Sequence, residues 1–173
     1  AGGGQFPLLF AKKAAQKGIQ VVGAGFFSET DPDLTDTVDA FQWLYLGQVS
    51  KLVKHFKRHN VHEAVMLGTI RKTRIFKDIR PDFKALNFIA KTGHSHDNTI
   101  LSAFADLMQK EGIAIRPSTF LLPELLSPAG CWTKRSLDKA EKKDAFQGWK
   151  LAKAIGELDI GQCIVISNGT VLA

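Results

Sequence analysis

Apolar residues recur along this chain with two alternating periods. After Gly2-Gly3-Gly4, the spacing of Phe6, Leu9, Phe10 and Ala14 is helical, Pro7 suits the first turn, and Gly18 supplies a stop. IQVVGAGF, over 19–26, is a β-branched run suited to a buried parallel strand. SETDPDLTDTVD reads as an acidic loop and FQWLYL as a second short strand. GQVSKLVKHFKRHN returns to helical spacing through Val49, Leu52, Val53 and Phe56, and VHEAVMLG, over 61–68, predicts a third strand ending in glycine.

Such alternation at short intervals predicts βαβ units, a mostly parallel sheet flanked by helices, and an α/β fold. A basic loop, TIRKTRIFKDIRPDF, precedes helical stretches around KALNFIAKTG and DNTILSAFADLMQKEG, the second with Asp97 as a natural N-cap. IAIRPSTF supplies another strand, and LLPELLSPAG is broken twice by proline. From Ser136 to Leu158 a long charged helix is predicted, capped by Ser136, with Ala140, Phe146, Trp149, Ala152 and Ile155 facing inward. CIVIS and TVLA flank Asn168-Gly169, a strong hairpin signal. A glycine loop that feeds a helix normally follows a buried strand, so a strand is expected before Ala1. The hairpin stops short at Ala173, and both ends suggest a piece of a larger two-domain protein.

With 173 residues, 45% of them apolar, the chain can build one sizeable domain that buries roughly 70% of its unfolded surface. No run approaches the ~18 apolar residues of a membrane span and no secretory signal is visible, so a soluble cytoplasmic protein is expected. Cys131 and Cys163 belong to no C-x-x-C pair and are expected to be buried free thiols. The formal charge of +6 favours anionic partners: phosphates, nucleic acid or lipid headgroups.

Five stretches could carry chemistry. Gly2, Gly3, Gly4 and Gln5 open a helix, where backbone amides can meet a phosphate or pyrophosphate. A dinucleotide fingerprint is disfavoured, because Pro7 stands where the third glycine belongs. Gly47 and Gly68 end strands, the latter followed by Thr69, and ligands of open α/β sheets sit beyond the carboxyl ends of strands. HSHDN, over 94–98, could hold a metal through its histidines, or use Asp97 to orient a water or hydroxyl. Arg71, Lys72, Arg74, Lys77 and Arg80 form a basic loop that could clamp phosphate, or, with Ile75, Phe76 and Phe83 interleaved, meet nucleic acid or lipid. In LDIGQ, Asp159 and Gln162 flank a glycine where two domains could meet. Each also has a plain structural reading: a tight turn, a strand stop, a helix cap, a solvated face, a helix stop.

Taken together, AGGGQFPLLFAKKAAQKG, LGQVSKLVKHFKRHNVHEAVMLGTIRK, RPDFKAL, the D-N-T-I-L helix start and above all LDIGQCIVISNGTVLA resemble the LpxI family of UDP-2,3-diacylglucosamine pyrophosphatases of lipid A synthesis, over essentially the whole chain. The resemblance implies a Rossmann-like domain over 1–135, a linking helix over 136–160 and the start of a C-terminal catalytic domain over 161–173. It implies hydrolysis of the UDP-sugar to UMP and 2,3-diacylglucosamine 1-phosphate (lipid X), with a divalent metal, Mg or Mn. Gly2, Gly3, Gly4, Gln5, Gly68, Thr69 and Lys72 would then contact substrate phosphates, with Asp97 and Gln162 at an inter-domain cleft.

Two departures stand out: Asn98 occupies the place of a second aspartate, and the segment with the family's catalytic aspartate would follow Ala173. The sequence as it stands should therefore be inactive alone. Acting on an amphiphile, the protein should meet the inner face of the bacterial inner membrane weakly, as a peripheral protein. Nucleic acid is not expected, and a homodimer is open. A non-catalytic nucleotide or UDP-sugar binding module is the competing reading.

Overall fold

The computed structural model describes residues 1–71, 79–92, 97–158 and 160–173. The chain divides into two compact units, Ala1–Leu126 and Ser127–Ala173. In the first, helices and parallel strands alternate, giving the mixed α/β architecture that the hydrophobic pattern predicts.

Helix α1 (Phe6–Gln16) has Pro7 in its first turn and buries Phe10, Ala11 and Ala14. It stops where Gly18, at φ +68°, lets Ile19 N–H return to the Ala14 carbonyl at 3.0 Å. Strand β1 (Val22–Phe26) pairs in parallel with β2 (Ala40–Leu44), Val22 opposite Ala40 and Phe26 opposite Leu44. A 3₁₀ turn, Pro32–Asp36, lies within the acidic loop between them. Helix α2 (Val49–Arg58) then leads to β3 (Glu63–Val65), and after α3 (Phe83–Thr92) and α4 (Asp97–Lys110) comes β4 (Ala114–Arg116), parallel to β3.

The two strand couples are bridged by the chain's opening residues. The Ala1 amine donates to the Ala24 carbonyl of β1, while Gly2 N–H donates to Leu67 O, just past β3, at 2.7 Å. The order across the unit is thus β2, β1, residues 1–3, β3, β4. Adjacent residues of β3 point to different cores: Ala64 packs with Ala24, Leu44, Val53, Phe56, Met108 and Ile113, whereas Val65 packs with Phe10, Ala14, Leu121 and Leu122. Apolar clusters on both faces are what a parallel sheet requires.

Two charged or polar groups tie helices to this frame. Glu111, after α4, receives Lys57 of α2 at 2.6 Å and Lys84 of α3, and these bonds hold its carboxyl below the usual range. His55 of α2 is buried, and its Nε2 donates to the Gly23 carbonyl of β1 at 3.0 Å.

The second unit is a helix carrying a hairpin. Helix α5 (Lys139–Glu157) starts with a capping box in which Asp138 and Glu141 exchange hydrogen bonds, so the cap is Asp138 rather than Ser136. Strands β5 (Ile166–Ser167) and β6 (Thr170–Val171) turn through Asn168 and Gly169, both at positive φ, as the Asn-Gly signal predicts. Gly169 N–H donates to Asp144 at 2.8 Å, and Ile164 and Ile166 lie against the buried Gly148. That docking chooses the inner face of α5. It leaves Phe146 and Trp149, expected inside, on the outer side. Both cysteines are likewise exposed, against the expectation of buried thiols: Cys131 lies in an open loop and Cys163 precedes the hairpin.

Burial pushes the His55 pKa below 6.5, against the opposing pull of its bond to Gly23, and His59 and Arg58 push it further down. At His55 the unfolded chain therefore takes up a proton near pH 6.5 that the folded chain resists, so this residue's contribution to stability is level above that pH and falls below it. Urea unfolding should give a lower midpoint at about pH 5.5 than at about pH 7.5, and His55→Gln should narrow that difference. An unchanged pH dependence in the variant would assign the effect elsewhere.

Candidate functional site

Within each strand couple the two strands run parallel, so the loops that leave a couple's strands lie at the same end of it. There the opening loop crosses the loop after β3 at backbone distance. Gly3 N–H donates to Thr69 O at 2.8 Å and Thr69 N–H donates to Gly3 O at 3.0 Å, an isolated antiparallel bridge. A Cβ on Gly2 would stand 2.3 Å from Thr69 O, one on Gly3 2.8 Å from Glu29 O, and one on Gly68 2.5 Å from Gly3 O. Backbone alone can occupy that crossing. Thr30 closes it from the side of β1, its buried hydroxyl donating to Ala1 O at 2.6 Å and accepting from Phe26 N–H at 2.8 Å.

This crossing divides the amides of the glycine loop. Those of Gly2 and Gly3 are committed to Leu67 and Thr69, whereas those of Gly4, Gln5 and Phe6 have no acceptor among the described residues. Gly4 sits at φ +94° with open space around it, and Gln5, the N-cap of α1, makes no side-chain capping bond. Exposed Thr69 stands beside this helix start, held by the bridge to Gly3. The chemistry available here is anion binding by helix-terminal amides and a hydroxyl.

The rest of the edge is built by groups that the sequence singles out only in part. Arg71, the first cation of the basic loop, is tied to the loop after β1, with Nε 3.2 Å from Glu29 Oε1 and Nη2 donating to Ser28 O at 2.8 Å. Arg80 lies 3.8 Å over the Tyr45 ring, and Phe27 packs between Tyr45 and Trp43 at centroid distances of 4.7 and 5.4 Å. Asp82 caps two helices at once, accepting from Ser50 N–H of α2 at 2.6 Å and from Ala85 N–H of α3 at 3.1 Å. Gly47, at φ +88°, admits the Arg80-Pro81 backbone, and Asp82 N–H donates to its carbonyl at 3.0 Å.

Gly2, Gly3, Gly4, Gln5, Gly68 and Thr69 are therefore neighbours at the carboxyl edge. Lys72, Arg74, Lys77, His94, His96 and Asp159 lie outside the described residues, Asp97 opens α4, and Gln162 is exposed in the second unit. No three His, Cys, Asp or Glu side chains converge among the described residues, so these do not by themselves supply a divalent-metal site. Sequence reasoning missed Asp82 and the aromatic shelf. An aspartate just before the helix Phe83–Thr92 was a usable capping signal, and the alternation of Phe41, Trp43 and Tyr45 was a usable sign of a single aromatic face.

The LpxI N-terminal domain matches residues 1–125 and the LpxI C-terminal domain matches residues 128–173. The UDP-2,3-diacylglucosamine pyrophosphatase LpxI of Caulobacter vibrioides is 26% identical over 178 aligned residues, which take in 100% of this chain and 62% of that protein. The chain thus spans less than two thirds of the length of the curated relative it matches.

The glycines should separate on substitution. Gly68→Ala forces a Cβ onto the Gly3 carbonyl at a φ of +81° and should cost about 3 kcal/mol or more. Gly4→Ala meets only the backbone penalty, about 1 kcal/mol. Asp82→Ala removes two caps and should cost about 2 kcal/mol. Urea unfolding of the three variants checks the order, and equal losses for Gly4→Ala and Gly68→Ala would contradict the crossing.

Proposed function

The chain belongs to the LpxI family, and from that membership we propose that it supplies the N-terminal domain and the beginning of the C-terminal domain of a UDP-2,3-diacylglucosamine pyrophosphatase. The match of both family domains in sequence order is the observation that carries the reading, and the pyrophosphatase of Caulobacter vibrioides supports the substrate. The first domain is read as Rossmann-like, supported by two parallel strand couples laid on either side of residues 1–3.

Water attacks one phosphorus of the pyrophosphate, the bridging P–O bond breaks, and UMP and 2,3-diacylglucosamine 1-phosphate leave, each with one phosphate. What the described residues contribute is a place for the anion. The free amides of Gly4 and Gln5, at the start of α1, would take phosphate oxygens, and the Thr69 hydroxyl would donate a further bond from the adjacent loop. Gly2, Gly3 and Gly68 act indirectly, by letting the two loops approach closely enough to share one ligand. A divalent metal, Mg or Mn, remains part of the proposal without ligands assigned, and no step here runs through it. Localisation at the cytoplasmic side follows from the reading of the substrate; no described helix is long and apolar enough to cross a membrane.

A protein extended to the full length of the family should release UMP from UDP-2,3-diacylglucosamine, followed by chromatography of the nucleotide products. Thr69→Val should raise KM roughly 10-fold, the loss of one hydrogen bond to a charged oxygen, and leave the unfolding midpoint in place. Binding of the UDP-sugar without UMP release would favour a non-catalytic nucleotide module. An unaltered KM in Thr69→Val would remove this loop from the phosphate site while leaving the family activity standing.

A further inference from the structure

Glu29 is a carboxylate set inside the carboxyl edge. It lies in the short loop that leaves β1, and its side chain is only 5% exposed. A carboxylate so placed needs a partner that meets its charge. Arg71 supplies one: Nε lies 3.2 and 3.3 Å from the two Glu29 carboxylate oxygens, and Nη2 donates to the Ser28 carbonyl at 2.8 Å.

The backbone is shaped to receive this fork. Ser28 sits at φ +64°, a region that serine seldom enters, and its carbonyl is the one that Arg71 reaches. The loop is held in that form by Glu29 N–H and Thr30 N–H, which both return to Phe26 O, at 3.1 and 3.0 Å, and by the Thr30 hydroxyl on Ala1 O. A strained residue and a buried carboxylate kept together for one arginine mark a geometry that has to be maintained. All of these contacts lie within the first unit.

What the pair maintains is the course of the loop after β3. Backbone bonds with Gly3, at 2.8 and 3.0 Å, fix Thr69 on one side, and the Glu29 clamp fixes Arg71 on the other. Only Ile70 stands between the two anchors, so Thr69 has little freedom to turn away from the start of α1. The Nε and Nη2 donors of Arg71 are already committed to this loop, which leaves the guanidinium poorly placed to clamp a phosphate as well. We propose that Glu29 is a positioning residue: through Arg71 it fixes the loop that presents the Thr69 hydroxyl to a substrate phosphate, and Arg71 itself does not bind that phosphate. The proposal rests on the reading of Thr69 as a phosphate ligand given above.

The test is steady-state kinetics of the full-length protein on UDP-2,3-diacylglucosamine, with urea unfolding of each variant alongside. Glu29→Gln keeps the shape and loses the charge, and should raise KM roughly 5-fold with kcat in place, the difference between a charged and a neutral acceptor. Arg71→Lys keeps the charge and loses the fork, and should raise KM comparably. In a Thr69→Val background Glu29→Gln should add nothing further, because the hydroxyl it positions is gone. Should Glu29→Gln fail to fold, Arg71→Lys with and without Thr69→Val makes the same comparison.

A lowered KM in Glu29→Gln would overturn the proposal, since it would show a released Arg71 binding the phosphate directly. Wild-type KM in Glu29→Gln or Arg71→Lys, a loss confined to kcat, or additive losses with Thr69→Val would overturn it too. If wild type releases no UMP, the proposed reaction fails by itself. The Kd of inorganic pyrophosphate, measured by calorimetry in the same variants, then decides the positioning role by the same comparison, and absence of binding by wild type overturns it.

Discussion

The first unit depends on a place where two loops cross with no side chains between them. Gly2 and Gly3 pass Gly68 and Thr69 so closely that a Cβ on Gly2, Gly3 or Gly68 would stand less than 3 Å from a backbone carbonyl oxygen. Hydrogen bonds from Gly2 to Leu67 and between Gly3 and Thr69 hold the crossing. It is the only link among the described residues that joins the β1/β2 couple to the β3/β4 couple through backbone. Neither couple could be a stable sheet alone, since a two-stranded ladder is marginal in water. Ala64 and Val65, adjacent on β3, pack into different cores, and β1 contributes Ala24 to the core that Ala64 joins.

The same constraint shapes the edge. Once the amides of Gly2 and Gly3 serve the crossing, the donors left open are those of the next residues, Gly4, Gln5 and Phe6 at the start of α1. A glycine run that looks like a phosphate loop is thus spent in part on the crossing, and only its later amides stay open. Arg71 undergoes a similar division: a cation that reads as a clamp in the sequence is drawn into the fold by Glu29 and the Ser28 carbonyl. Asp82, which reads as a loop residue, orients two helices.

Strand and helix periods made most of the first unit legible in the sequence, because a two-faced parallel sheet needs continuous apolar runs and leaves that trace in IQVVGAGF and VHEAVMLG. Gly18 and Asn168-Gly169 were legible because their positive φ excludes most other residues. What failed was orientation. The apolar spacing of α5 allows either face to be inner, and the choice falls to Gly148, whose missing side chain lets Ile164 and Ile166 approach. No periodicity records that choice. The edge residues were legible as types but not as neighbours, for Gly3 and Thr69 are brought together only by the whole of the intervening chain.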